Sequence, residues 1–450
     1  MPDHPVSSLP LAREAMADVA RRSLDYARKR GASDAEVEIS AAVGQAVTVR
    51  RGVVETVEYN RDKGLGITVY FGNRRGNAST SDLSPEAVER TVEAACAIAR
   101  HTAEDVAAGL PDADRLFRGE APDLELFHPW GLTVEDAIEI ARRTEAAALA
   151  VDKRITNTEG ATVSAYDTDF ILANTRGFLA GFPNSKASLG CSVVAEDGGG
   201  MQRDYWYTTH RDHLQLESAE SVGRTSGERA VRRLGGRRLA TSEAAVLFDS
   251  NIASGLIGHF VSAASGSNLY RRSSFLLDRL GTEVFSPAVE IFEDPFLRGE
   301  LASGYYDAEG VATQKRNVVE GGVLRGWFLS SHSARKLGLE TTGNAGGNHN
   351  LLVKPGEHDF NALVKLMDRG LLVTELMGQG VNAVTGDYSR GAAGFWVEGG
   401  EIRFPVEEVT IAGNLLDVFR GIRAVGSDVA VRGSKHCGSI LVDRMTIAGD

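Results

Sequence analysis

The chain has 450 residues and a formal charge of −12, from 49 Lys and Arg against 61 Asp and Glu, and 42% of its residues are hydrophobic. These values indicate a soluble globular protein of two or three domains, and they argue against a general nucleic-acid binder, which would carry a basic face. No apolar run is long enough to span a membrane and the three cysteines are far apart, so the sequence predicts no membrane segment, no disulfide framework and a cytoplasmic location.

The first predicted element is a helix over residues 11–30, where apolar residues recur at helical spacing before Gly31. Three stretches of alternating polar and apolar residues follow it and predict an antiparallel meander. A second helix then begins at Ser84 and Pro85, with Ser84 as its N-cap. Together these elements predict an N-terminal α+β domain over residues 1–110.

The middle segment, residues 111–240, begins with a connector rich in Pro, Gly and Asp. A helix is predicted from Thr133 to about Val151, followed by short strands and a further helix, all packing against the first domain. Residues 241–450 alternate short strands with glycine turns, including Gly-Gly pairs typical of tight hairpins. The predicted fold class is therefore α+β, with an α/β N-terminal part that contains the antiparallel meander and a β-rich C-terminal domain.

Two short motifs suggest chemistry but lack their usual context. Gly378, Gly380 and Gly386 do not keep the spacing of a dinucleotide-binding loop, and no Gly-Lys-Ser/Thr phosphate loop is present. Ser333 and Lys336 match the Ser-x-x-Lys pattern of penicillin-recognising enzymes, although the companion motifs are missing. A solvated helix end explains this second motif more simply.

Two polar clusters are also best explained without chemistry. His210 and His213 are the only close pair of histidines, and no His-Glu-x-x-His sequence accompanies them. An exposed polar turn is the simpler interpretation. The basic run at 232–238, RRLGGRR, is likewise interpreted as a solvated helix end and turn.

Two longer stretches carry more information. Residues 249–281 predict a helix that begins at Asp249 or Ser250, is rich in small residues that permit close packing, and has His259 as its only histidine. Residues 373–396 read VTELMGQGVNAVTGDYSRGAAGFW, and glycine at this density favours tight turns beside another backbone.

These two stretches, with SHSARKLGLETTGNAGG and the C-terminal CGSILVDRMTIAGD, resemble the PmbA/TldE branch of the TldD/PmbA family, also called modulators of DNA gyrase. The likeness covers essentially the whole chain. It implies a TldD/PmbA-type fold and a zinc metalloprotease in which a TldE chain pairs with a TldD chain to degrade or process peptides. In the TldD branch, a His-Glu-x-x-x-His helix and a late cysteine bind the zinc.

Carried onto this sequence, the resemblance implies a degenerate zinc site. The three helix positions fall on one of two sets, depending on register: Gly258, His259 and Ala263, or His259, Phe260 and Ala264. Cys437 matches the late cysteine. One thiolate and one imidazole cannot hold a catalytic zinc, and no carboxylate is placed to deprotonate its water. We therefore expect no intact catalytic residue, no metal and no cofactor in this chain, with zinc held by the partner.

The glycine-rich stretch is then expected to form the wall of the substrate groove or the seam with the partner subunit. The candidate residues are Gly378, Gly380, Asp387, Tyr388, Ser389 and Arg390. We expect Asp387 and Arg390 to pair and fix the loop, and Tyr388 and Ser389 to line the groove. A turn that is required only structurally, without substrate contact, is an equal alternative.

The predicted function is thus a TldE/PmbA-like subunit that is active only with a zinc-bearing TldD-like partner, acting on extended or unfolded peptides. An alternative is a non-proteolytic binding protein that acts on gyrase or on a toxin–antitoxin regulator. A third hypothesis is an autonomous hydrolase using Ser333 and Lys336. General nucleic-acid binding and membrane binding are not expected, and a homodimer of the isolated chain is compatible with the sequence.

Overall fold

A computed structural model describes residues 9–449 of the chain. Its N-terminal part is built on a seven-stranded sheet in which all pairings are antiparallel. The strands are β1 Asp34–Arg50, β2 Val53–Phe71, β3 Arg74–Thr80, β4 Ile155–Asn174, β5 Leu179–Ala180, β6 Asn184–Asp197 and β7 Gly200–His210. Their order is β3-β2-β1-β4-β6-β7, with β5 paired to β4.

Four helices pack on one face of this sheet. They are α1 Arg13–Lys29, α2 Pro85–His101, α3 Val134–Leu149 and α4 Ala219–Arg232, and a short 3₁₀ turn spans His213–Gln215. Along β1, Val37 and Ile39 are buried with α1 and α2, whereas Val47 and Val49 are buried with α3 and α4. All four are odd-numbered, and side chains alternate along a strand, so both helix pairs cover the same face.

The helices predicted near the N-terminus are confirmed. Helix α1 ends just before Gly31, whose φ of 88° is the left-handed conformation that glycine adopts most readily. The Thr133 side chain caps α3 by accepting a hydrogen bond from the Asp136 backbone N–H. Ser84 occupies the N-cap position of α2 and Pro85 follows it, as predicted, although the Ser84 side chain makes no capping hydrogen bond.

The strands of the middle segment are longer than predicted and continue the first sheet. Strand β4 pairs with β1 from Asn174 opposite Glu36 to Ala161 opposite Val49. The meander and the middle segment are therefore joined by backbone hydrogen bonds along a shared strand pair, and not only by side-chain packing. The division of the chain at residues 110 and 240 stays a prediction.

The C-terminal part contains a sheet that closes on itself. Its strands are β8 Ser242–Phe248, β13 Gly370–Met377, β14 Asp387–Glu398, β15 Glu401–Asn414, β16 Ile422–Val425 and β19 Ile440–Ala448. Their order is β15-β14-β13-β8-β19-β16, and an additional pairing of β15 with β19 joins five of the strands into a ring.

A third sheet of short strands lies beside the ring. It consists of β9 Ile291–Glu293, β10 Arg316–Glu320, β11 Val323–Leu324, β12 Leu351–Val353, β17 Ala430–Val431 and β18 Lys435–Cys437, in the order β11-β10-β9-β12-β18-β17. The helices of this part are α5 Ser250–Ala263, α6 Gly266–Tyr270, α7 Ser331–Leu337, α8 Phe360–Met367 and α9 Leu415–Arg420. The largest buried cluster joins α5 to both sheets.

The fold is mixed α+β with antiparallel sheets, as the sequence predicts. The two Gly-Gly hairpins are also confirmed: Gly321 and Gly322 connect β10 to β11, and Gly399 and Gly400 connect β14 to β15, all with positive φ. Within residues 9–449, no helix has both the length and the apolar character needed to cross a membrane.

Candidate functional site

Helix α5 carries the positions at which the resemblance places a degenerate zinc site. It begins at Ser250 because the Asp249 side chain accepts the backbone N–H of Asn251 at 2.9 Å. Its buried face consists of Ala253, Leu256, Ile257, Phe260 and Ala263. This face fixes the rotation of the helix, so Gly255, Gly258 and His259 lie outside the buried stripe.

His259 is half-buried against the start of β14. Its ring meets that of Tyr388 edge-on, with 5.7 Å between the ring centroids. Burial lowers the pKa of His259, and the nearby Arg390 guanidinium lowers it further. Tyr388 is itself buried, which raises its pKa to about 12. The surroundings of His259 therefore disfavour its protonation, and its ring packs against Tyr388.

Strand β18 packs against α5 and brings Lys435 and Cys437 to the helix. Cys437 is fully buried, and its Sγ donates to the Gly438 carbonyl at 3.2 Å. Burial raises the pKa of the Cys437 thiol to about 12, with Asp428 adding to the shift. A Cβ built on Gly258 would lie 3.7 Å from Lys435 Cε, so the lysine side chain crosses the helix at this glycine.

Lys435 places a cation where the resemblance implies that TldD chains bind zinc. Burial lowers the pKa of Lys435, and its Nζ donates a long hydrogen bond of 3.5 Å to Ser434 Oγ. Zinc requires deprotonated sulfur, nitrogen or oxygen donors. Across residues 9–449, no group of three or more His, Cys, Asp or Glu side chains is arranged to hold a metal ion. A protonated buried thiol beside an ammonium group does not fit a zinc ion.

The glycine-rich stretch forms the end of β13, a loop over 378–386 and the start of β14. Gly378 and Gly386 have positive φ of 76° and 81°, which favours glycine at both positions. A Cβ on Gly380 would lie 1.9 Å from the Ser389 carbonyl oxygen, because the loop folds back on its own strand. Backbone conformation at Gly378 and Gly386 and a close contact at Gly380 therefore account for the three glycines, and contact with a peptide or partner stays a prediction.

The start of β14 separates the other four candidates onto two faces. Tyr388 and Arg390 face α5, whereas Asp387 and Ser389 are exposed on the opposite side. Asp387 accepts a hydrogen bond from Thr385 Oγ1 at 2.6 Å. The predicted pairing of Asp387 with Arg390 is wrong, because side chains three apart on a strand point to opposite faces.

Arg390 lines a cavity that we call the α5 cavity, with a volume of about 300 Å³. It lies where strand β7 and helix α4 of the N-terminal part meet α5, β13 and β14 of the C-terminal part. Its lining residues are Asp204, Tyr205, Trp206, Tyr207, Arg229, Asn251, Ile252, Ser254, Gly255, Thr374, Glu375, Leu376, Arg390 and Arg432. The structure thus places one predicted groove residue, Arg390, at a cavity beside helix α5.

Several lining residues were missed by sequence reasoning. Arg432 stacks on Trp206 and Tyr207, with its central carbon 3.9 Å and 4.5 Å from the two ring centroids. These residues come from segments more than two hundred positions apart in the sequence. The available signals were the aromatic run RDYWYTTH and the two cations in VRGSKHC, which precede the matched cysteine Cys437.

The Ser-x-x-Lys hypothesis is not supported by the geometry. Ser333 is buried, and its Oγ lies 3.1 Å from Ser330 Oγ in the capping box of α7. Lys336 instead pairs with Asp105 at 2.6 Å. The two side chains therefore have separate structural roles.

The polar clusters at 210–213 and 232–238 also have structural roles. His213 stacks on Trp130, with 5.0 Å between centroids. His210 Nδ1 accepts the backbone N–H of Asp212 at 3.0 Å. In the basic run, Arg233 is only 11% exposed and pairs with Asp204 at 3.6 Å and Glu375 at 2.5 Å. The interpretation of this run as merely solvated is therefore wrong for Arg233.

Comparison with known proteins decides the family. Models of the PmbA/TldA metallopeptidase domain 1, central domain and C-terminal domain match residues 35–99, 127–234 and 241–449. The metalloprotease PmbA of Escherichia coli O157:H7 is 48% identical over 445 residues, which is 99% of this chain and 98% of that protein. The chain belongs to the PmbA/TldD metallopeptidase family.

Further comparisons agree with this assignment. A PmbA homologue from Haemophilus influenzae is 46% identical over 429 residues, covering 95% of each chain. The same strain has a TldD homologue, 23% identical over 427 residues, covering 90% of this chain and 86% of that protein. A crystal structure from Bacteroides thetaiotaomicron, named as a candidate modulator of DNA gyrase, has a TM-score of 0.93 at 27% identity and covers 98% of this chain and 100% of its own. Within the family, the chain is on the PmbA branch.

Proposed function

We propose that this chain is the metal-free subunit of a two-chain zinc peptidase, with the zinc supplied by a TldD-like partner. The observation that carries the proposal is the lack of a donor set on α5, where His259 stands alone, Gly258 and Ala263 have no ligand atom and Lys435 lies across the helix. A cation at this position disfavours metal binding by direct repulsion.

The presence of both a PmbA homologue and a TldD homologue in Haemophilus influenzae supports a division of labour between two related chains. In such a pair, this chain would contribute walls and positioning groups for an extended or unfolded peptide. Arg390 and Tyr388, which face α5, are the groups nearest to the former metal helix from the glycine-rich stretch.

The proposal is tested by purifying the chain alone and with a TldD-like chain from the same genome. Zinc content is measured by mass spectrometry of the metals, and peptidase activity with a dye-labelled unfolded protein. We expect zinc and activity only in the mixture. Stoichiometric zinc together with peptidase activity in the isolated chain would contradict the proposal.

His259→Ala supplies a matched variant for this test. Because His259 packs on Tyr388 and lacks partner ligands, the variant should keep the zinc content and activity of the mixture. Loss of zinc in the mixture on this substitution would show that His259 is a metal ligand after all.

A second candidate is a non-proteolytic binding protein that acts on gyrase or on a toxin–antitoxin regulator, favoured by the name given to the Bacteroides relative. Co-purification distinguishes the two, since this candidate requires a partner other than a TldD-like chain.

We further propose a cytoplasmic location, because Cys96, Cys191 and Cys437 are all buried and unpaired. Light scattering of the isolated chain tests whether it forms a homodimer.

A further inference from the structure

The α5 cavity holds two guanidinium groups without an ionic partner. Its two lining carboxylates are already paired: Asp204 contacts Arg229 at 3.1 Å, and Glu375 contacts Arg233 at 2.5 Å. Neither Arg390 nor Arg432 forms an ion pair with any residue of the described chain, 9–449. The cavity is therefore positively charged.

Two polar atoms of the cavity wall also lack hydrogen-bond partners. Arg390 Nε and Thr374 Oγ1 are both shielded from solvent and bonded to nothing within residues 9–449. Buried donors are normally satisfied, and an unsatisfied donor at a cavity wall indicates a missing acceptor. Both side chains line the same cavity, on the neighbouring strands β14 and β13.

Arg432 is held in a fixed orientation on the opposite wall. The central carbon of its guanidinium group lies over the Trp206 and Tyr207 rings. The group also hydrogen-bonds the Tyr207 side chain, and a guanidinium has five N–H donors, so donors remain for a ligand. Burial lowers the pKa of Arg432, so its charge is destabilised by the loss of water. The Glu217 carboxylate attracts the Arg432 guanidinium without contacting it, and it accepts hydrogen bonds from Trp206 and Ser221 instead. An anion in the cavity would restore the lost solvation.

Space for a ligand is provided at Gly255. A Cβ built on this helical residue meets no atom within 4 Å. The volume of about 300 Å³ is at the small end for ligand sites, which suits the end of a chain better than a nucleotide. A planar guanidinium matches a carboxylate by two parallel hydrogen bonds.

We propose that the α5 cavity binds the terminal carboxylate of a peptide through Arg390 and Arg432. Naming a peptide as the carrier rests on the proposed function, whereas the anion site itself does not. The carboxylate accepts from both guanidinium groups and from Thr374 Oγ1, and the preceding residue lies over Gly255.

Calorimetry on the isolated chain tests this without any partner subunit, so its outcome is separate from that of the zinc and peptidase experiment. The probe is acetyl-tetra-alanine with a free carboxylate, compared with the same peptide as its C-terminal amide. We expect the amide to bind at least about tenfold more weakly, since charge-assisted hydrogen bonds are lost. Equal affinities would overturn the proposal.

Arg390→Gln and Arg432→Gln should each weaken binding of the free acid by about tenfold or more. The matched control is Arg369→Gln, because Arg369 also stacks on a tryptophan, Trp396, but lies outside the cavity. Unchanged affinity in both cavity variants would overturn the proposal. So would an equal loss in the control.

Gly255→Leu fills the cavity without changing a charge, and it keeps the test decisive if an arginine variant fails to fold. We expect it to abolish binding of the free acid. Inorganic phosphate is the competing probe. Binding of phosphate without binding of the peptide acid would overturn the assignment to a peptide carboxylate.

Discussion

The first sheet meets the C-terminal part around two cavities that are lined by different charged groups. The α5 cavity has two unpaired arginines, Arg390 and Arg432, and its carboxylates are neutralised by other arginines. The second, which we call the acidic cavity, has a volume of about 610 Å³. It lies between β1 to β3 and the C-terminal loops. Its charged or titratable lining residues are Glu36, Tyr70, Arg75, Asp105, Glu309 and His332.

The carboxyl groups of the two cavities are stabilised in different ways. In the acidic cavity, burial and the nearby Glu309 raise the pKa of Glu36 to about 8. Burial likewise raises the pKa of the neighbouring Asp307 to about 7. The clustered acids of the acidic cavity therefore tend to keep their protons, whereas the carboxylates of the α5 cavity form ion pairs with arginines. The α5 cavity therefore presents arginines to an anion, whereas the acidic cavity contains carboxyl groups whose pKa values are raised.

The largest expected effect comes from Arg233→Met, which disrupts the charge balance of the α5 cavity. Arg233 contacts both Asp204 and Glu375, and Asp204 is only 5% exposed. Removing Arg233 leaves Glu375 without its ionic partner and the buried Asp204 with Arg229 alone, so the free energy of unfolding should fall by about 2–3 kcal/mol. Urea denaturation at pH 7 measures this loss.

Arg203→Met is the matched control. Arg203 pairs with Glu159 at 2.7 Å, but both side chains are nearly half exposed, at 48% and 47%. An exposed pair contributes about 0–1 kcal/mol. If the two variants lose the same stability, the carboxylates at the α5 cavity do not depend on Arg233.

Glu36→Gln sharpens the contrast by removing a titrating acid from the acidic cavity. Because the folded-state pKa of about 8 exceeds the ordinary glutamate pKa of 4.5, folding binds a proton between these pH values. The wild-type stability therefore falls as pH rises through this window. The glutamine keeps the neutral shape, so it should be more stable than wild type by about 1–2 kcal/mol at pH 8.5, allowing for solvent in the cavity, and equal at pH 4.

Thermal unfolding at both pH values measures this difference. Glu58→Gln, exposed on β2, is the matched control and should follow the wild-type pH dependence. A glutamine variant that is destabilised at pH 8.5 would show that Glu36 is ionised and stabilising in the folded chain.

Periodicity and turn chemistry were sufficient to predict much of the fold. Helices α1 and α3 and the Gly-Gly hairpins follow from local signals at Gly31, Thr133 and the paired glycines. The pairing of β4 with β1 did not follow, because about a hundred residues separate the two strands. Strand partners at that distance are chosen by tertiary packing, which no local pattern encodes.

The α5 region was predictable only in part. Position matching identified Gly258, His259 and Cys437, and the structure brings all three to α5 and β18. It did not show that Asp387 and Arg390 point apart, because this segment was interpreted as a loop and not as the start of a strand with alternating faces. Arg432 and Thr374 were missed for another reason: an unpaired guanidinium or hydroxyl is defined by what surrounds it.

The smallest expected effect tests whether the α5 cavity is open in the folded chain. Gly255→Ala adds a methyl group that meets no atom within 4 Å, and alanine is favoured over glycine inside a helix by about 0.5–1 kcal/mol. The variant should therefore be slightly more stable. Gly223→Ala on α4 is the matched control, since its Cβ would lie 2.1 Å from the Thr144 carbonyl oxygen and should cost about 1–3 kcal/mol. In urea denaturation, the changes in the free energy of unfolding of the two variants should have opposite signs if the cavity is open. Both variants should be destabilised if α5 closes onto its neighbours.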